Sequence, residues 1–454
     1  MVGMQRDGGH QGPRSAAPSV PAAAHEVVGI CRDLLRIDSQ NFGDGSGPGE
    51  RAAAEYVMAS LSEVGLDPVL FESAPRRASV VARLAGQDGT RPALVLHGHL
   101  DVVPAQAADW SVDPFGGEES DGLLWGRGAV DMKDMDAMIL AVVREMARSG
   151  RRPARDVVVA FFADEEAGGD LGAGYAVSHH RELFEGATEA VSEVGGFSVE
   201  IAGQRAYLLQ TAEKGLAWLR LVADGKAGHG SQATTDNAVT TLAEAVARIG
   251  RHSWPYELTP TVERLLRGVA DLAGLPFDPA DPRSAQRAVD ALGPAKRFVG
   301  ATLRTTSNPT RLAAGYKENV IPGRAEAVVD VRPLPGRAAH VGEELRRRAG
   351  SGVRIEPIHE DVGLETPFEG SLVDAMVAAV QAEDPGAPVL PYMLSGGTDN
   401  KSLSRLGITG YGFVPLQLPP DLDFTGMFHG VDERVPVESL RFGVRVLRRL
   451  LETC

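Results

Sequence analysis

Cysteine occurs only twice in the 454 residues, as Cys31 and as the last residue, Cys454. Two thiols cannot build a disulfide framework or a cysteine metal site, and their scarcity fits a reducing cytoplasm. No apolar run approaches the roughly 20 residues needed to cross a bilayer, so no membrane is expected as a partner. Basic charge is also in deficit. With 46 Lys and Arg against 61 Asp and Glu, the net charge is −15, which argues against nucleic acid or an anionic membrane surface as the main partner. Residues 1–24 are rich in Gly, Ala, Pro and Ser but lack the continuous apolar core of a secretory signal. They are expected to form a disordered tail.

What the chain does contain is an alternation of helix and strand patterns. From about His25, Val27, Val28, Ile30, Cys31, Leu34 and Leu35 recur at helix spacing. The loop N-F-G-D-G-S-G-P-G-E at 41–50 ends that helix, and 50–64 reads as a second one. Apolar β-rich runs follow at 79–84, 93–96 and 157–162, with a helical stretch at 132–149 between the last two. Such alternation predicts an α/β sheet covered by helices. After Glu213–Gly215 the pattern changes. A strand is expected at 216–223 and a helix at 235–249, capped by Thr234, Thr235 or Asp236. A polar, Pro-containing stretch then occupies 252–300. Further β-like runs lie at 298–305 and 325–331, a helix at about 340–349 and a strand at about 353–358. The reading is one α/β catalytic domain in two segments, 25–212 and 363–454, interrupted by a smaller α+β unit at 213–362.

The chemistry concentrates at the ends of the predicted strands. H-G-H-L-D-V-V-P at 97–104 places His99 and Asp101 two residues apart, on one face if the strand continues. A metal-bound imidazole commonly gives its other N–H to a carboxylate, and Asp101 is placed for that. In W-G-R-G-A-V-D-M-K-D at 125–134, Asp131 reads as an N-cap, as a carboxylate held between two metals roughly 3.5–4 Å apart, or as both at once. F-F-A-D-E-E-A-G-G at 161–169 puts two consecutive glutamates after the strongest buried-strand pattern in the chain. Glu166 is assigned to metal and Glu165 to the general base. Glu193 in S-E-V-G-G and His429 in M-F-H-G-V-D-E-R-V gain meaning only beside the others, since a loop carboxylate and a structural histidine are the ordinary readings of each alone. The candidate ligands are therefore His99, Asp131, Glu166, Glu193 and His429. Nitrogen and oxygen donors without thiolate suit Zn²⁺, with Co²⁺ or Mn²⁺ as options.

With these motifs in this order, the chain resembles the co-catalytic metallopeptidase and deacylase family of aminoacylase-1, acetylornithine deacetylase, succinyl-diaminopimelate desuccinylase and glutamate carboxypeptidase. The resemblance runs from about residue 25 to the C-terminus. It implies a mixed-sheet, zinc-exopeptidase-like catalytic domain carrying a ferredoxin-like lid, often used for homodimerisation. It implies two metals bridged by Asp131, one held by His99 and Glu193 and the other by Glu166 and His429. His229, in K-A-G-H-G-S at 226–231, would reach a site, commonly the partner subunit's, to stabilise the oxyanion. Here Gly230 stands where the family usually has serine. Asn319 in E-N-V-I-P, Arg332 in V-D-V-R-P, and Gly397 and Thr398 in S-G-G-T-D-N match substrate-binding positions. A guanidinium such as that of Arg332 suits a substrate carboxylate.

The activity expected is metal-dependent hydrolysis of an amide bond in a small carboxylate-bearing substrate, of the N-acyl amino acid deacylase type. A dipeptidase or carboxypeptidase of the same family is the alternative, and a non-catalytic metal-binding protein a remote one. A carboxylate-pair glycosidase leaves His99 and His429 without a use. Nothing in 252–300 names a substrate.

Overall fold

A computed structural model describes residues 22–454; the greater part of the expected N-terminal tail lies outside the described residues. Residues 22–24 already belong to the first helix, Ala22–Leu35, where Ala23 and Ala24 are buried.

The larger sheet has ten strands. Its main path runs Val69–Ala74, Arg77–Leu84, Val157–Phe162, Ala93–His99, Ala187–Ser192, Thr409–Gly412, Gln204–Glu213 and Leu364–Glu365. It is mixed. The three central strands from Val157–Phe162 to Ala187–Ser192 run parallel, whereas Arg77–Leu84 pairs antiparallel with Val157–Phe162. The strand V-V-V-A-F-F at 157–162 shows why an uninterrupted apolar run forms here. Val157, Val159 and Phe161 face a core built with the helices Ala22–Leu35, Lys133–Ser149 and Val437–Thr453. Val158, Ala160 and Phe162 face a smaller core with the helix Ala173–His179. A parallel strand covered on both sides needs apolar residues at every position.

The second sheet is antiparallel, in the order Thr306–Ala314, Arg324–Arg332, Leu216–Asp224, Arg354–Asp361. The helices Ala238–Gly250 and Ala338–Ala349 close a separate core on it with Leu242, Ile249, Val341 and Leu345. Chain order strand, helix, strand, strand, helix, strand with this spatial order is the ferredoxin-like arrangement.

Three local expectations fail. The helix Ala238–Gly250 is capped by Asn237, whose side chain accepts from Val239 N at 2.9 Å and Thr240 N at 3.3 Å. Asn satisfies free helix-end donors as well as Thr or Asp. The run 298–305 is helical, Lys296–Gly300 followed by a turn at Ala301–Leu303, because Ala295, Val299 and Leu303 enter the core four residues apart. Finally, 260–303 does not pack on the four-stranded sheet. Val262, Leu265, Leu266, Val269, Val289 and Val299 are buried in the large core, and the helix Pro260–Ala273 lies against Val389–Leu394.

Candidate metal centre

The parallel strands deliver the site. Ala93–His99 ends on His99, Val157–Phe162 runs into Asp164–Glu166, and Ala187–Ser192 is followed by Glu193. Sites form at the carboxyl ends of such strands because the chain turns away there and leaves a crevice. Asp131 closes the W-G-R-G turn ahead of the helix Lys133–Ser149. It does not cap that helix, whose N-cap position is Met132 and lacks a side-chain cap. Its carboxylate turns instead to the two histidines. Oδ1 lies 3.1 Å from His99 Nε2 and Oδ2 lies 3.3 Å from His429 Nε2. Glu193 Oε2 is 3.5 Å from His99 Nε2, and Glu166 Oε2 is 3.1 Å from His429 Nε2. Two triads result, His99–Asp131–Glu193 and Asp131–Glu166–His429, each with one donor atom per residue converging. All five expected ligands are brought together. His97, in the same H-G-H run, is not among them: it is buried with Nε2 2.9 Å from Asn400 Oδ1.

The electrostatics fit a cation between these groups. Burial opposes charge on His99, but the carboxylates of Glu193, Asp101 and Asp131 outweigh it and hold the ring well above the usual histidine range. Hydrogen bonds that its ring donates to Asp131 and Glu166 push His429 up to about 10. Burial raises Glu193 to about 7, with Asp131 and Glu166 adding to it against His99. Glu166 Oε1 is buried without a partner. Carboxylates crowded at this spacing repel one another unless positive charge lies among them, and imidazole with carboxylate is a zinc-type donor set. Glu165 stands beside the triads, its Oε2 4.0 Å from His99 Nε2. Burial, then the charge of Glu193, lift its carboxyl well above the ordinary range and make it a stronger base.

Asp101 meets His99 and also supports the neighbouring turn. The strand stops at His99, so the alternation that would align the two side chains does not extend to Asp101. His99 Nδ1 is 2.9 Å from the backbone oxygen of Asp101 and 3.5 Å from its carboxylate. The carboxylate accepts the backbone N–H groups of Glu165 and Glu166, both at 3.1 Å, and so fixes the turn that carries these two side chains. Asn41 Nδ2 donates to Asp101 at 2.8 Å and to Asp164 at 3.2 Å. Arg77 in turn donates to Asn41 Oδ1 at 2.8 Å and pairs with buried Glu50. The 41–50 loop, legible only as glycine-rich, therefore holds the site from behind.

Glu433 is a second support that the sequence does not announce. Its Oε1 accepts from Val130 N (2.7 Å) and Asp131 N (3.2 Å). Its Oε2 accepts from Gly128 N (3.0 Å) and Arg127 (2.7 Å), whose guanidinium also reaches Gly430 O at 2.7 Å. The two segments that present Asp131 and His429 are thus tied to one another. The only sequence signal is an acidic residue four positions after His429 and a basic one four before Asp131.

A cavity of about 370 Å³ opens over the triads. One wall carries Asp131, Glu165, Glu166, Glu193 and His429. Trp218 and Arg332 come from the four-stranded sheet, Phe298 and Phe428 form an aromatic patch with ring centroids 5.2 Å apart, and the segment 394–402 closes the remaining side. Arg332, Gly397 and Thr398 all line it. Arg332 is already paired, with Nε 2.7 Å and Nη2 3.0 Å from the carboxylate of Asp330. The Thr398 hydroxyl donates to Glu213 at 3.0 Å. His229 and Asn319 do not line the cavity. They are exposed neighbours on the short ladder of Gly228–His229 with Val320–Ile321, where Gly230 N donates to Asn319 O at 2.8 Å.

Comparison with known proteins gives a consistent result. The model of Peptidase family M20/M25/M40 matches residues 95–453. The chain is 26% identical over 453 residues to N-fatty-acyl-amino acid synthase/hydrolase PM20D1 of Xenopus tropicalis, covering 94% of this chain and 85% of the relative. It is 27% identical over 446 residues to aminoacylase-1 of Homo sapiens, covering 95% and 96%. The M20 family metallo-carboxypeptidase Sso-CP2 from Sulfolobus solfataricus shares the fold, with a TM-score of 0.73 at 18% identity over 94% of this chain and 99% of that one.

Proposed function

The chain belongs to Peptidase family M20/M25/M40 and is a hydrolase of amide bonds, and on that premise we propose that it deacylates small N-acyl amino acids at a two-metal centre. The observation that carries this reading is the shared carboxylate of Asp131, one oxygen toward each imidazole–carboxylate pair. In the proposal His99 and Glu193 hold one metal, Glu166 and His429 the other, and Asp131 both. Zinc suits these donors best, with cobalt or manganese able to replace it. When bound, the metals would polarise the scissile carbonyl and lower the pKa of the attacking water towards about 7.

The protein's own groups do the rest. Glu165 takes the proton of the attacking water and passes it to the leaving nitrogen. Asp101 and Asn41 keep the turn that carries Glu165 from shifting. The segment with Gly397 and Thr398 and the Arg332 side form the substrate's carboxylate end, and the Phe298–Phe428 patch favours an apolar acyl group. The likeness to aminoacylase-1 supports an N-acyl amino acid as the substrate class. His229 and Asn319, exposed together, are proposed to complete the partner subunit's site in a homodimer formed through the small sheet, with the four-stranded unit acting as a lid. No helix of the described residues is long and apolar enough to cross a membrane, and the buried free thiols of Cys31 and Cys454 support a reducing, cytoplasmic setting.

A panel of N-acetyl amino acids and dipeptides assayed with zinc- or cobalt-loaded protein tests the reading. Hydrolysis of the N-acyl amino acids supports it, whereas preferential dipeptide cleavage replaces it with the dipeptidase or carboxypeptidase alternative.

A further inference from the structure

Four phenylalanines form a closed cycle beside the metal centre. Between ring centroids, Phe298 lies 5.2 Å from Phe428, Phe428 5.4 Å from Phe424, Phe424 5.1 Å from Phe197, and Phe197 6.4 Å from Phe298. Such spacings are those of favourable tilted and edge-on ring pairs. Phe298 and Phe428 face the cavity over the triads. Phe197 and Phe424 face a second cavity, of about 300 Å³. The two spaces therefore adjoin across one layer of paired rings. Leu292, Ala295, Leu418 and Leu422 supply apolar wall to the second cavity. Its buried hydroxyls are engaged: Ser198 Oγ accepts from Leu418 N at 2.8 Å, and Thr425 donates to Pro294 O at 3.0 Å. Charge enters only with Glu200 and Arg205, which are exposed and mark the end open to solvent. The ion pair that links the two sides of the ring cycle, Arg297–Asp423 at 2.9 Å, is also exposed. Pairs of that kind hold little, so parting the rings costs ring contacts rather than a buried charge.

A space with apolar walls, satisfied polar groups and a charged mouth suits a hydrocarbon chain that runs towards solvent. We propose that the second cavity receives the distal part of a long unbranched acyl chain, which enters it from the metal centre by parting the four rings. The acyl group of the substrate is then a chain of about ten carbons rather than acetyl. This inference deepens the deacylase reading and rests on it for the identity of the substrate.

Binding measured without turnover tests the assignment. In metal-loaded Glu165→Gln protein, calorimetry compares N-acetyl-L-methionine with N-decanoyl-L-methionine below its micelle concentration. Each methylene moved from water to an apolar wall is worth roughly fourfold in Kd, so the decanoyl compound is expected to bind at least about 100-fold tighter. The two probes should compete for one site per chain. Leu422 and Val199 line the second cavity and not the first. Adding Leu422→Trp, which fills the second cavity, is expected to raise Kd for the decanoyl probe about 10-fold or more and to move the acetyl probe by less than about twofold. Val199→Trp repeats the test should the Leu422 variant fold poorly. The assignment is overturned if the parent binds both probes alike, if the two bind independently, or if filling the second cavity leaves decanoyl binding unchanged or weakens both probes equally. Failure of the deacylase reading is separately visible: the wild type would then leave both compounds intact while the chain-length preference in binding persisted.

Discussion

Asp131 and His429 meet at 3.3 Å through Asp131 Oδ2, while the other oxygen of the same carboxylate stands 3.1 Å from His99. One side chain therefore belongs to both triads, and losing it should differ in kind from losing either histidine. Asp131→Ala is expected to abolish binding of both metals, whereas His429→Ala should remove one and leave the His99–Glu193 position loaded. Metal analysis after gel filtration reads the ratio. Equal loss in the two variants would contradict the shared-carboxylate arrangement.

Glu165 touches the site without belonging to either triad. Glu165→Gln should keep metal content at the wild-type level and lower kcat by about 10²- to 10⁴-fold, the usual contribution of a general base. Near-normal turnover would remove Glu165 from the reaction.

Glu433 is fully buried and accepts three backbone N–H groups and Arg127. Glu433→Ala would leave the Arg127 charge, itself 4% exposed, without its partner. The expected cost is about 3–5 kcal/mol of unfolding free energy, measured by urea denaturation. A loss below about 1 kcal/mol would show that the Arg127–Glu433 pair does not hold these two segments together.

Much of this site is legible in the sequence because it is local. His99, Asp131, Glu165, Glu166 and Glu193 each follow a strand or a glycine turn, and those boundaries show in the pattern of apolar residues. Asn41 and Glu433 escape such reading because each acquires its role from a segment distant in the chain: Asn41 from Asp101, Glu433 from the 127–131 turn. Lys296–Gly300 misleads for a related reason. Phe298, Val299 and Leu303 read as a strand in a short window, and only packing against the large core decides for helix. The same packing draws 260–303 away from the small sheet on which its place in the chain would put it.

Glu213 gives a pH test away from the two triads. Burial raises its carboxyl from 4.5 to about 7, against the opposing charge of Lys401 and the hydrogen bond from Thr398. A carboxyl with a higher pKa when folded binds more protons in the folded state. Its ionisation therefore costs stability as pH rises from about 4.5 to 7, by on the order of 3 kcal/mol. Glu213→Gln should be about as stable as the wild type at pH 5 and more stable at pH 8. Parallel wild-type and variant stabilities across that range would contradict the raised pKa.

The most direct measurement strips the protein with EDTA and titrates zinc or cobalt back while hydrolysis of N-acetyl-L-methionine is followed. The account predicts no turnover in the stripped protein, and full recovery that saturates at two metal equivalents per chain. Turnover that survives complete metal removal would contradict it.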